Sequence, residues 1–64
     1  MTPAEARAKL GLSVTEMATL VGVTRQGWHK AERTGVVSEP ASRLIAYIDR
    51  YGPELAIEMA RRDQ

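Results

Sequence analysis

The stretch SVTEMATLVGVTRQGWHKAERTG, Ser13 to Gly35, constrains this chain more than any other. It reads as two short helices around a tight glycine turn. Ser13 caps the first: its hydroxyl can accept from a backbone N–H of the first turn, and Glu16 can reach back to close a capping box. Met17, Leu20 and Val21 then recur at the spacing of one buried helical face. Gly22 ends that helix, since a residue leaving a helix in the left-handed region is least strained without a Cβ. Val23 turns inward. Thr24 caps a second helix that runs from Arg25 to about Arg33 and stops near Gly35.

Helix, short glycine turn and helix is the helix-turn-helix order of DNA-binding domains. Ala18 lies one turn before Gly22, where the two helices cross and a small side chain is needed. Trp28 and Ala31 point the second helix back at the first. On LGLSVTEMA and LVGVTRQGWHKAERTG, including Glu32 and Gly35, the chain resembles the Cro/CI-like (XRE, lambda-repressor-like) family over roughly its first fifty residues. It departs from the family's pattern where Trp28 replaces the usual Val or Ile and Ala31 replaces a larger residue. Large for small at one site and small for large at the next roughly conserves core volume.

The chain has 64 residues, no cysteine and no apolar run of membrane-spanning length. One domain, 1–64, is expected, with neither disulfides nor a thiolate metal site, in keeping with a cytoplasmic protein. MTPAEARAKLG lacks the apolar segment of a signal peptide. Nothing shows the period-two alternation of strands, so the fold class is all-α: a compact bundle of about five short helices around the central motif at 13–35. The net charge is only +1, but residues 24–34 carry Arg25, Lys30 and Arg33 against Glu32 alone, whereas the segments on either side are neutral or acidic.

Thr2, Pro3 and Glu5 mark the start of the first helix, and Gly11 its end near Leu10; Ala6 and Leu10 face the core and Arg7 and Lys9 solvent. Leu12 packs as a staple before Ser13. Val36 and Val37 form an apolar connector, and Ser38-Glu39-Pro40 opens a fourth helix to about Tyr51. Leu44, Ile45, Ile48 and Tyr51 make its buried stripe, with Tyr47 at the edge. Gly52-Pro53 breaks the helix. A fifth spans about 53–62, with Leu55, Ala56, Met59 and Ala60 on one face and Ile57 off it, and Asp63 and Gln64 fraying.

The first residues of the second helix of such a motif enter the major groove. Arg25 matches guanine O6 and N7 and Gln26 matches adenine N6 and N7, each bidentate contact being worth about 1–3 kcal/mol of discrimination. Lys30 lies one turn beyond Gln26 on the same face. His29 is either a modest base or phosphate contact or a solvated side chain. The resemblance implies base reading at Arg25, Gln26 and Lys30. Gly27 either lets the helix press closer to the bases or makes room for Trp28. Phosphate contacts are expected from Thr24, Arg33 and the N–H groups at that helix start, although Arg33 is equally a cation matched to the helix dipole. Val14 stands where the family often grips the backbone with Gln, leaving Thr15 and Ser13 as candidates, and the connector lacks the family's basic residues.

The resemblance implies a small homodimeric regulator of phage or bacterial type, Cro-like or anti-CRISPR-associated, with an antitoxin less favoured. Double-stranded DNA is the expected partner, on a pseudo-palindromic operator. Ile57, left over from the core count, places the dimer surface on Leu55, Ile57 and Ala60 of the fifth helix, with Tyr47 or Tyr51 beside it. A protein-interaction module that ignores DNA is the alternative, on the low net charge and the acidic connector. An enzyme is disfavoured by a single histidine, no cysteine and too little chain to enclose a pocket. No cofactor, metal or small-molecule ligand is expected: His29 and Glu32 are too few to hold an ion, and Glu32 is better placed to hold a basic side chain at the helix end.

Overall fold

Four glycine stops and four N-terminal caps divide the chain into helices. The structure, a computed structural model, describes residues 1–62; Asp63 and Gln64, expected to fray, lie outside the described residues. The helices are α1 (Pro3–Leu10), α2 (Val14–Val21), α3 (Arg25–Thr34), α4 (Glu39–Tyr51) and α5 (Glu54–Arg62), with no strand among the described residues. The all-α expectation and its element boundaries hold.

The capping chemistry is local and complete at α1 and α2. Thr2 and Ser13 each accept from the backbone N–H three residues on, and Glu5 and Glu16 accept from the cap backbone in return. Those bonds from Thr2 hold the Glu5 carboxyl below the ordinary carboxylate range. Gly22 leaves α2 at φ 84°, and the N–H groups of Gly22 and Val23 both return to the Ala18 carbonyl at 2.9 and 3.0 Å. That conformation reverses the chain within a few residues and brings α3 onto α2. Ser38 caps α4 through its backbone only, since its hydroxyl makes no bond to the helix.

Five helices supply one core: Ala6 and Leu10 from α1, Met17 and Ala18 from α2, Trp28 and Ala31 from α3, Ala41, Ile45 and Ile48 from α4, and Ala56 and Ala60 from α5. Trp28, Met17 and Ile48 are the largest fully buried side chains. Trp28 fills the centre and buried Ala31 lies one turn further along the same face. α2 packs chiefly on α3 and α5, while α1 lies against α3, α4 and α5.

The structure corrects the sequence pattern in four places. Leu20 and Val21, and Leu44 of the α4 stripe, are half-buried partners of the core rather than fully enclosed. Tyr51 is 62% exposed: the core ends one turn earlier, at Ile48, and the Tyr51 ring instead meets Tyr47 at 5.0 Å between centroids, with the Arg50 guanidinium 5.4 Å from its own. In α5 the buried face is Ala56 and Ala60, small residues that let the helix sit close to its neighbours. Leu55 and Met59 are therefore turned out to solvent, more than half exposed, and Ile57, expected to be left over, packs against the core. Arg7 faces inward, not outward. No helix of the described residues is long and apolar enough to cross a membrane.

Candidate nucleic-acid interface

α3 begins at Thr24, whose hydroxyl accepts from the Gly27 N–H at 3.0 Å. Its inward face is Trp28 and Ala31, both buried. With a period of 3.6 residues, that leaves Gln26, His29, Lys30 and Arg33 on the opposite side and Arg25 on the flank between. All five are exposed, and together they line one shallow depression along the solvent face of the helix. No hydrogen bond or salt bridge holds any of their side chains among the described residues. Their donors are available to an external partner.

Glu32 explains how this face is free of negative charge. Its carboxylate lies on the inward flank, where it accepts from Arg7 Nε at 2.5 Å and Arg7 Nη2 at 3.1 Å, a two-pronged ion pair reaching across 25 residues of sequence from α1. The same Oε2 accepts from the Trp28 indole N–H at 2.5 Å, and Arg7 Nη1 donates to the Leu12 carbonyl at 3.1 Å. The Arg7 bonds, with a smaller contribution from Trp28, hold the Glu32 carboxyl below its usual range, and Glu32 in turn raises Arg7. Glu32 does hold a basic side chain, but one from α1 rather than from its own helix end. The pair neutralises the one acid of α3, so Arg25, Lys30 and Arg33 stand on the exposed face unopposed. At the N-terminal end the helix dipole adds partial positive charge.

Gly27 is exposed on the other flank of α3, beside Val23, Val36 and Val37. A Cβ there would lie 3.0 Å from the Thr24 hydroxyl and 3.8 Å from Val23 Cβ. The bare α-carbon thus leaves the cap uncrowded, a role that neither reading of the sequence anticipated. Ser13 and Thr15 are exposed near the start of α2; the Ser13 hydroxyl already accepts from the Glu16 N–H at 3.1 Å, which leaves its proton to donate. Arg33 borders the same depression as the expected base readers rather than standing apart at the helix end.

The expected dimer residues are not brought together on one surface. Ala60 is buried inside the chain and Ile57 is half-buried, whereas Leu55 and Tyr47 are exposed. Among the described residues no group of three metal-binding side chains forms, and both Glu32 oxygens are engaged by Arg7 and Trp28.

The residue missed in the sequence was Arg7. Within α1 it follows the polar pattern of a solvated side chain, and only the arrival of α3 gives it a partner. No protein-family model, curated protein or solved structure matches this chain.

Proposed function

We propose that this protein is a sequence-specific double-stranded DNA-binding transcriptional regulator that lays the outward face of α3 in the major groove. The observation that carries this reading is the acid-free exposed stripe of Arg25, Gln26, His29, Lys30 and Arg33, presented by a helix whose inner face is fixed. Arg25 and Gln26 supply bidentate contacts to a guanine and an adenine, and Lys30 reaches a third base or a phosphate. Thr24 and the N–H groups at the start of α3 face the phosphate backbone, with Thr15, Ser13 and Arg33 as further contacts. Three exposed cations on one helix neutralise few phosphates. A single copy therefore binds weakly, and two copies on a pseudo-palindromic operator, half-sites about 10–10.5 base pairs or a multiple apart, bind well.

In vitro selection of bound duplexes with the purified protein tests this reading. A symmetric consensus is expected, with affinity that falls steeply as salt rises. Negligible duplex affinity at every salt concentration would instead make the chain a protein-interaction module.

A further inference from the structure

We propose that this protein binds a small neutral molecule, a single six-membered ring or an aliphatic group of that bulk carrying one hydroxyl, in the hollow between α3, the connector that follows it and the start of α4. The hollow has a volume of about 150 Å³. An apolar cavity of that size holds one benzene-sized molecule. Val23 of the α2–α3 turn, Trp28 and Ala31 of α3, Val36 and Val37 of the connector and Ala41 of α4 line it. No lining residue is charged, so an ion buried there would have no counter-charge, and the occupant is neutral. No such ligand is expected from the sequence, because the lining is gathered from separate segments.

Side-chain size makes the hollow. α3 packs on α2 and α1, and the residues around the gap towards α4 include Gly27, Ala31 and Ala41, none larger than a methyl group. Val36, on the rim, is 73% exposed, so a ligand seated there covers apolar surface that water now meets. Two side-chain polar groups belong to the lining. The Trp28 indole N–H is already spent on Glu32. The Ser38 hydroxyl makes no hydrogen bond among the described residues, although a serine at a helix start ordinarily caps its own helix. It therefore stands unspent beside an apolar hollow. An apolar body and one directional polar contact is the make-up of a small-molecule site, and the volume keeps the ligand small.

This inference does not rest on the DNA-binding reading and is measured without DNA. Phenol and benzene are the probes, titrated into the isotope-labelled full chain and followed by amide NMR. Saturable shifts are expected at the backbone N–H groups of Val23, Gly27, Val36 and Val37 and at the Trp28 indole N–H, with phenol bound more tightly than benzene. Val36→Asp sets a charge on the rim and should weaken both probes by about tenfold. Ser38→Ala should weaken phenol by about threefold and leave benzene unchanged. Both positions are exposed, and melting curves check that each variant is folded. Shifts that gather instead on the exposed Tyr47, Tyr51, Leu55 and Met59 would overturn the proposal. So would binding that survives Val36→Asp, a Ser38→Ala protein that holds phenol as tightly as the wild type, or no saturable shift with either probe at millimolar concentration. Arg25→Ala should leave phenol binding unchanged, so a failed DNA reading and a failed ligand site are told apart.

Discussion

On its inward side α3 carries Trp28, Ala31 and Glu32, each engaged with the core or with α1; on its outward side it carries Arg25, Gln26, His29, Lys30 and Arg33, whose side chains make no bond among the described residues. The two faces belong to one ten-residue helix. On the proposed function the division has a reason: a helix that reads bases must be rigid as a body and unsatisfied at its surface. Side chains that bonded to their own protein would have to break those bonds to meet a base. A helix not braced from behind would lose ordering entropy on binding. The inner face supplies the bracing and the outer face the unspent donors.

Substitutions on the two faces should therefore separate into large effects on stability and small ones. Trp28→Ala empties the centre of the core, where the ring is 1% exposed, and should cost about 3–5 kcal/mol. In a domain this small most of the chain would then be unfolded at room temperature, as urea titration by circular dichroism would register.

Glu32→Ala comes next. It leaves the Arg7 guanidinium and the Trp28 N–H without their acceptor, and should cost about 1–3 kcal/mol. The same carboxylate makes stability depend on pH. Its folded-state pKa lies below the unfolded one, so its contribution is complete above the ordinary carboxylate value and is lost as pH falls through the lower, folded-state value. Denaturant midpoints measured across that acid range should decline less in Glu32→Gln than in the wild type.

Thr24→Ala removes the cap from α3 and should cost about 1 kcal/mol in the same titration. Smallest of all, Arg25→Ala, Lys30→Ala and Arg33→Ala should each change stability by no more than about 0.5 kcal/mol. If any of these three destabilised the fold as strongly as Glu32→Ala, the division between the two faces would fail.

Most of this architecture was legible because its signals are local. Thr2, Ser13 and Thr24 lie within three residues of the N–H groups they cap, and Gly11, Gly22 and Gly35 close their own helices. The solvent face of α3 was legible for the same reason: once Trp28 and Ala31 turn inward, helical periodicity sends Gln26, His29 and Lys30 outward and leaves Arg25 on the flank. What could not be read depended on which helix arrives from elsewhere. Arg7 looks like a solvated side chain until α3 brings Glu32 to it. In α5 the apolar residues are too numerous to choose among by period alone. Leu55 and Met59 form as plausible a stripe as Ala56 and Ala60, and the close approach to α2 and α1 selects the alanines. Tyr51 continues the α4 stripe on paper but lies beyond the last layer of core.

We propose that the outward face of α3 reads bases. The most direct measurement is the affinity of wild type and Arg25→Ala for the selected duplex and for every single-base variant of one half-site, at fixed salt. The expected result is a loss confined to one base pair per half-site, about 1–3 kcal/mol, with the other positions discriminated as before. An equal loss on all sequences would move Arg25 to the phosphates, and no loss on any would remove α3 from the groove.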